Sequence, residues 1–351
     1  MKKLIFICLF FTASGVQAQI YRGTIDRFPV IFQVSEDEYN DYAARYYYLS
    51  SKINIMLYWM NDDSTVLETR AGKDGQKEEF RLRQTGNKLT GTWRYRNKTL
   101  NVNLVYDTTL SSYSDPKFEG MKMQKLGDEN YDASTVLTWY KEPITGIECF
   151  RVKSSTKIRD IKKMNAFLKR QHMDAVQESI RCVDGSPHGG EYNASCRISF
   201  LSNELMSLVW SEGYYCGGAH PDGGEKAVTV DVNTLRQINL RDLYWISTEG
   251  YQQIDDDYNM PGFNSTWQAL LNKQYPGEYP RHTSVDENGS GCIYNADAWS
   301  NSTWYLTPAG LYMSSFFPRV ARCCDTSNGD PYVSYKLLEK YRVKTNMYVL
   351  K

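Results

Sequence analysis

The chain has 351 residues, with 41 basic and 41 acidic side chains, so its formal net charge at pH 7 is zero. This balance provides no basic excess for binding a phosphate backbone and argues against a nucleic-acid partner. The mean hydropathy of −0.55 argues against a protein built of several membrane helices, and the length suggests about two domains.

The first residues have the pattern of a bacterial export signal, which we place at 1–18. Lys2 and Lys3 precede an apolar run over residues 4–11, and small residues lead to a cleavage site after Ala18. The run is too short to span a bilayer, and no later stretch has the length and apolar character of a transmembrane segment. The sequence therefore predicts a mature protein that is periplasmic or secreted.

Residues 19–125 have the pattern of an all-β domain. Short apolar runs are separated by turn signals at 61–63 and 86–87, and apolar side chains recur at every second position around Leu57. Regular short strands with tight turns predict a meander, which would form a curled sheet or a partial barrel. Gly91 lies inside a predicted strand, where it indicates a bend or a close approach of another backbone segment.

Residues 126–351 predict an α+β module with antiparallel sheets, because strands and helices do not alternate regularly. The clearest helix covers 160–180, where apolar residues recur at helical spacing, with His172 on the polar side. Further helices are predicted at 247–257 and 265–272. The predicted fold class is therefore α+β, with a β-rich domain ahead of this module.

All but one of the 8 cysteines follow the predicted signal segment, and in an oxidising compartment they indicate disulfides with one thiol left over. Cys182 and Cys196 flank a glycine-rich turn and are the first predicted pair. Cys292 with Cys323 or Cys324 is the second predicted pair. A zinc site would need CxxC pairs or a Cys/His cluster, which the spacing lacks, so we expect no metal and no cofactor.

The most distinctive stretch is the glycine-rich segment around His220. Such a segment can serve strand geometry alone, or it can be a displayed recognition loop. In the second interpretation Tyr214 and Tyr215 supply aromatic surface, while His220, Asp222 and His188 supply polar contacts. No HExxH spacing and no nucleophile motif identifies a catalytic residue.

A set of linked motifs carries a family resemblance over about residues 145–345. The segment Tyr215-Cys216-Gly217-Gly218-Ala219-His220-Pro221, a following strand and Leu240-Arg241-Asp242-Leu243-Tyr244 resemble the extracytoplasmic module of RsiV-type anti-sigma factors and PdaC-type peptidoglycan deacetylases. Late segments at 304–311 and 332–338 extend the resemblance. The resemblance implies an α+β fold outside the cytoplasm, and in RsiV-type members the module is similar to a lysozyme receptor.

Two departures from the family pattern are Leu235, where a turn glycine is usual, and the additional Cys216. Because we find neither a sigma-binding segment nor a deacetylase domain, we do not carry over signalling or deacetylation. We expect an exported, non-enzymatic module that binds peptidoglycan, another envelope glycan or a lysozyme-like protein. The alternatives are an envelope hydrolase that uses His220 and a structural envelope protein with no small ligand.

Overall fold

The computed structural model describes residues 19–34, 43–60, 63–71, 75–110, 115–118, 120–184, 190–252, 260–278, 281–282, 293–300, 302–317, 331–348 and 350. The chain divides into two compact units, Met1–Met121 and Lys122–Lys351. The first is an antiparallel β-barrel, and the second combines antiparallel sheets with helices. The predicted α+β class, with a β-rich part first, is confirmed.

The barrel is a meander in which each of the eight strands pairs with the next. The bounds are β1 Gln19–Ile25, β2 Phe28–Val34, β3 Ala44–Tyr48, β4 Ile55–Met60, β5 Asp63–Glu68, β6 Glu79–Thr85, β7 Lys88–Tyr95 and β8 Lys98–Tyr106, and the short helix α1 Asp115–Phe118 follows. β1 also pairs with β8, from Tyr21 opposite Tyr106 to Ile25 opposite Val102. This pairing closes the sheet completely, beyond the predicted partial barrel.

Aromatic side chains fill the centre of the barrel. The rings of Phe32, Tyr46 and Phe80 are buried and contact one another, with 5.1 Å between the centroids of Tyr46 and Phe80. The hydroxyl of Tyr46 and the indole Nε1 of Trp93 both donate hydrogen bonds to the Glu78 carboxylate. Burial and the nearby carboxylate raise the pKa of Tyr46, so this hydroxyl stays a neutral donor.

Two predictions for the barrel strands have different outcomes. A Cβ atom at Gly91 would lie 1.9 Å from the carbonyl oxygen of Arg81 on the paired strand, so the predicted close approach is confirmed. The apolar face predicted around Leu57 is correct only in part, because Leu57 is fully buried whereas Trp59 is 49% exposed. Trp59 is the last residue of β4 before the register with β5 shifts, between Trp59 and Met60, so it lies at the end of the regular ladder.

The second unit contains, in its described part, three three-stranded antiparallel sheets and a two-stranded one. The first sheets have the orders β11-β10-β9 and β12-β13-β14, and α2 connects them along the chain. The bounds are β9 Gln124–Asp132, β10 Thr135–Lys141, β11 Glu148–Ser155, α2 Ile161–Asp184, β12 Glu191–Leu201, β13 Leu205–Tyr215, β14 Asp222–Asp231, α3 Leu240–Leu243, α4 Phe263–Gln274, β15 Arg281–His282, β16 Ile293–Tyr294, β17 Trp304–Thr307, β18 Gly310–Met313, β19 Tyr332–Val333 and α5 Tyr335–Leu338, with 3-10 turns at Ala296–Trp299 and Glu339–Tyr341.

Helix α2 confirms the longest predicted helix and extends it at the C-terminal end. Asp160 Oδ1 accepts a hydrogen bond of 2.9 Å from the backbone nitrogen of Lys163, which satisfies one free amide of the first turn. The prediction that His172 lies on the polar side is wrong, because the ring is fully buried. Its Nε2 lies 2.9 Å from the carbonyl oxygen of Ile147, and Arg151 contacts Nδ1. Burial lowers the pKa of His172, which favours the neutral ring.

The helix predicted at 247–257 is wrong over residues 247–252, which are not helical, and the rest of that prediction lies outside the described residues. The Ser247 hydroxyl donates a hydrogen bond of 2.6 Å to the carbonyl oxygen of Pro261, and the backbone nitrogen of Thr248 donates to the same oxygen at 3.3 Å. These groups therefore bond to a later segment instead of to a helical turn. The other helix predicted in this region is confirmed as α4.

The turn after β14 accommodates the leucine that departs from the family pattern. Leu235 has a φ of 60°, in the left-handed region that costs a side-chain-bearing residue about 1 kcal/mol. Asp231 Oδ1 accepts hydrogen bonds from the backbone nitrogens of Asn233 and Thr234, and its Oδ2 accepts one from the hydroxyl of Tyr348. These bonds hold the turn in the conformation that glycine would adopt more readily.

The carboxylate of Asp132, the last residue of β9, should make the free energy of unfolding of the second unit fall at acid pH. The Nζ of Lys157 lies 2.8 Å from its carboxylate. This hydrogen bond, together with those from Ser134, holds the pKa of Asp132 at about 2, below its ordinary 3.8, although burial acts the other way. The stabilisation is therefore complete above about pH 4 and is lost as the pH falls to about 2.

Urea unfolding of the second unit at a series of acid pH values will test this prediction. Asp132→Asn should remove part of the pH dependence between about pH 4 and about pH 2, because the titrating carboxylate is gone. The exposed Glu191→Gln serves as a matched control and should keep the wild-type slope. An Asp132→Asn variant with the wild-type slope would contradict the role given to this carboxylate.

Candidate functional site

The glycine-rich segment forms the end of the long hairpin β13–β14. The two strands pair as far as Tyr214 opposite Asp222, so residues 216–221 form the loop. Gly217 has a φ of 88°, which glycine adopts without strain. A Cβ atom at Gly223 would lie 2.6 Å from a carbonyl oxygen of β13. Gly217 and Gly223 are therefore needed by the backbone, whatever else the loop does.

A disulfide joins this loop to the last turn of α2, since Cys182 is bonded to Cys216. The predicted pair of Cys182 with Cys196 is therefore wrong. Cys196 lies opposite Trp210, well inside the β12–β13 ladder, whereas Cys216 lies where the hairpin reaches the end of the helix. Proximity in the sequence suggested the wrong partner because the hairpin brings a more distant residue to the helix.

The cysteines of the second predicted disulfide lie outside the described ranges. Cys292, Cys323 and Cys324 lie there, so the second predicted disulfide stays a prediction, as does the signal segment 1–18. The disulfide that is present is compatible with a location outside the cytoplasm, where such bonds persist.

The predicted aromatic residues lie at the end of the hairpin and are half-buried. Tyr214 and Tyr215 are consecutive in a strand, so their side chains point to opposite faces of the sheet. The ring of Tyr214 stacks on that of Tyr192 in β12, with 6.1 Å between centroids and 18° between planes. Tyr192 was not singled out from the sequence. Side chains alternate between the two faces along β12, and this alternation could have placed Tyr192 on the face that carries the other buried residues.

The predicted polar residues lie around the same loop. His220 is exposed within it, and Asp222 begins β14 and accepts a hydrogen bond of 2.9 Å from the backbone nitrogen of Gly223. The fold thus brings His220 and Asp222 to the hairpin end that carries Tyr214. His188 lies outside the described residues, so its place in the site stays a prediction.

A charged cluster, formed by Glu178, Glu212, Lys226 and Tyr192, lies next to Tyr214 and was missed by sequence reasoning. The Nζ of Lys226 lies 2.6 Å from Glu178 and 2.8 Å from Glu212, and the Tyr192 hydroxyl donates to Glu178 at 3.2 Å. Burial opposes the charge on Lys226, yet the two carboxylates raise its pKa overall. Burial and the same carboxylates raise the pKa of Tyr192, so its hydroxyl stays neutral and can donate a hydrogen bond.

Two open clefts adjoin the charged cluster. The larger has a volume of 340 Å³, and its lining includes Asn193, Ser195 and Ser211 together with Tyr192 and Glu212. The smaller has a volume of 220 Å³, and its lining includes the three charged residues of the cluster. Hydroxyl, amide and carboxylate groups beside tyrosine rings suit a ligand that presents both hydroxyl groups and an apolar face.

Two further observations apply to the described residues only. Among them, no group of three His, Cys, Asp or Glu side chains lies close enough together to hold a metal ion. Within the same ranges we find no helix whose length and apolar character would let it cross a bilayer.

Comparison with known proteins gives a distant structural likeness. No family model and no curated protein matches the chain. Among solved structures, the chain is similar to a DUF3298 family member from Bacteroides fragilis, at 13% identity over 64% of this chain and 93% of that one, with a TM-score of 0.35. It is also similar to a DUF3298 family protein from Pseudomonas aeruginosa, at 12% identity over 65% and 96% of the two chains, with a TM-score of 0.35.

Both neighbours carry the name of a domain of unknown function, and a likeness at this level carries no argument about activity. The resemblance to the RsiV-type and PdaC-type modules stays a prediction.

Proposed function

We propose that this chain is an exported, non-enzymatic module that binds a glycan of the bacterial cell envelope at the end of the β13–β14 hairpin. The observation that carries the proposal is the stacked pair of Tyr192 and Tyr214 beside the cleft of 340 Å³. The disulfide between Cys182 and Cys216 holds this end in place, which reduces the entropy lost when a ligand binds.

The chemistry of the cleft favours a glycan over the other predicted ligands. Ser195 and Ser211 can donate or accept hydrogen bonds, Asn193 can do both at once, and Glu212 accepts from sugar hydroxyl groups. Tyrosine rings offer a flat apolar surface at small entropic cost. His220 is exposed in the loop, where it can contact the same ligand at the rim of the site. A lysozyme-like partner would instead need a broader contact surface.

The test is retention of the purified chain on insoluble peptidoglycan. Tyr214→Ala should weaken retention roughly ten-fold, because it removes one ring of the stacked pair and its contact area. Tyr214→Phe keeps the ring and should retain most of the binding. Tyr251→Ala removes another tyrosine of the same unit, one that is 63% exposed and outside the hairpin, and should bind as the wild type does.

Four results would contradict the proposal. If the wild-type chain does not bind peptidoglycan, or if the Tyr214→Ala variant binds as well as wild type, the glycan site is not at the end of the hairpin. Retention on immobilised lysozyme alone would favour the protein partner. Release of soluble fragments from peptidoglycan, abolished by His220→Ala, would favour the alternative envelope hydrolase.

A further inference from the structure

Two buried cysteines outside the candidate site lie in contact with each other. The sulfur atoms of Cys149 and Cys196 are 3.5 Å apart, and the two residues are 0% and 5% exposed. They come from β11 and β12, the facing strands of two different sheets, which α2 separates along the chain. Of the cysteines in the described ranges, these two are not bonded.

The neighbourhood of the pair differs from that of an ordinary buried thiol. A single buried cysteine behaves as a small apolar side chain. Here each sulfur has the other as its neighbour at 3.5 Å, and a disulfide of about 2.0 Å would require the sulfurs to approach by about 1.5 Å. Burial raises the pKa of Cys149, yet the contact with Cys196 and the charge of Arg151 lower it overall. Cys149 is therefore the sulfur better suited to attack, because the thiolate is the nucleophile.

We infer that Cys149 and Cys196 form a second disulfide, which ties β11 to β12. The bond would close a loop with a sequence separation of 47, which contains the whole of α2. It would also interleave with the bond from Cys182 to Cys216, because each loop contains one cysteine of the other. The two bonds together fix both strands next to α2 and the end of the helix itself.

The reaction needs an oxidant, for which we name a low-molecular-weight disulfide such as oxidised glutathione. The Cys149 thiolate attacks one sulfur of the oxidant, forming a mixed disulfide and releasing one reduced thiol. The Cys196 thiol then loses its proton and displaces the second thiol from that mixed disulfide. Two cysteine thiols are oxidised, one small disulfide is reduced to two thiols, and the protons end on the released thiols.

The test is refolding of the reduced full-length chain in a glutathione redox buffer, followed by alkylation and mapping of the cross-linked peptides. Refolding gives the oxidant access to thiols that are buried in the folded state. A tryptic peptide that ends at Arg197 contains both Cys182 and Cys196, so a second cleavage after Glu191 separates them. The expected product is a pair of peptides joined through Cys149 and Cys196, whose mass is two hydrogens below the sum of the separate peptides. A reductant should release the separate peptides again.

Controls in the same digest make the result decisive. The cross-link of Cys182 to Cys216 shows that the chain has refolded and been oxidised. A Cys149→Ala variant should lose only the new cross-link, leaving Cys196 open to alkylation after unfolding. The wild type should also melt roughly 5–10 °C above this variant under oxidising conditions, a difference that reductant diminishes.

Two outcomes would overturn the inference, and neither depends on the variant folding. In the first, Cys149 and Cys196 are both alkylated in wild-type chain that carries the complete cross-link of Cys182 to Cys216. In the second, either cysteine is cross-linked to one of the cysteines at positions 292, 323 and 324 instead.

Discussion

Replacing Cys182 and Cys216 together with serine should lower the free energy of unfolding of the second unit by roughly 2–4 kcal/mol. The bond closes a loop with a sequence separation of 34, and its removal returns conformational freedom mainly to the unfolded chain. The loop after Tyr215 should become less protected as well, because nothing covalent then holds it to α2. Hydrogen exchange measured on peptides of the hairpin and of α2 will report both effects.

The matched control for this variant is His220→Ala, which changes an exposed side chain of the same loop. A surface substitution of this kind should change stability by no more than about 0.5 kcal/mol. Equal stability of the double variant and the oxidised wild type would mean that the disulfide does not constrain the unfolded chain. The proposed glycan binding should also weaken in the double variant, since the rim of the site loses its attachment.

Phe80→Ala should destabilise the barrel by roughly 3–5 kcal/mol. Phe80 is fully buried, and its ring contacts those of Phe32 and Tyr46 at the centre of the barrel. The substitution removes apolar surface and leaves a cavity that rigid strands cannot close by collapse. Chemical denaturation followed by hydrogen exchange on barrel peptides will measure the change separately from the second unit.

The control for Phe80 is another phenylalanine of the same barrel. Phe28 is 41% exposed, and its ring contacts that of Tyr48 at the edge of the packed interior. Phe28→Ala should therefore cost less than about 1.5 kcal/mol, because little buried surface is lost. Similar losses from the two substitutions would contradict the position of Phe80 at the packed centre.

The local features of the fold could be predicted from the sequence, and the long-range ones could not. Alternating apolar residues and turn signals predicted the barrel strands, and helical spacing predicted α2. Closure of the barrel depends on β1 meeting β8, a contact between the two ends of the domain that no local pattern encodes. The burial of His172 was missed for the same reason, because its partner Ile147 lies in the connection before β11, distant along the chain.

The sequence predicted the loop residues of the candidate site but not the charged residues that surround them. Tyr214, His220 and Asp222 belong to a segment whose glycines make it conspicuous in the sequence. Glu212 lies two residues before Tyr214 and therefore on the same face of the strand, a relation that period-two alternation could have revealed. Glu178 comes from α2, and only the packing of that helix on the sheet brings it to Lys226.

The closed meander has a consequence for how the barrel folds. All its ladders except one join strands that are neighbours in the sequence, and these can form as soon as each turn is available. The remaining ladder joins the earliest strand to the latest, so the backbone groups of β1 that face β8 stay unpaired until β8 has joined the sheet. An unpaired strand edge is a template for association with other chains. A barrel that has not yet closed therefore exposes two strand edges through which it can associate with other chains, and the pairing of β1 with β8 removes both at once.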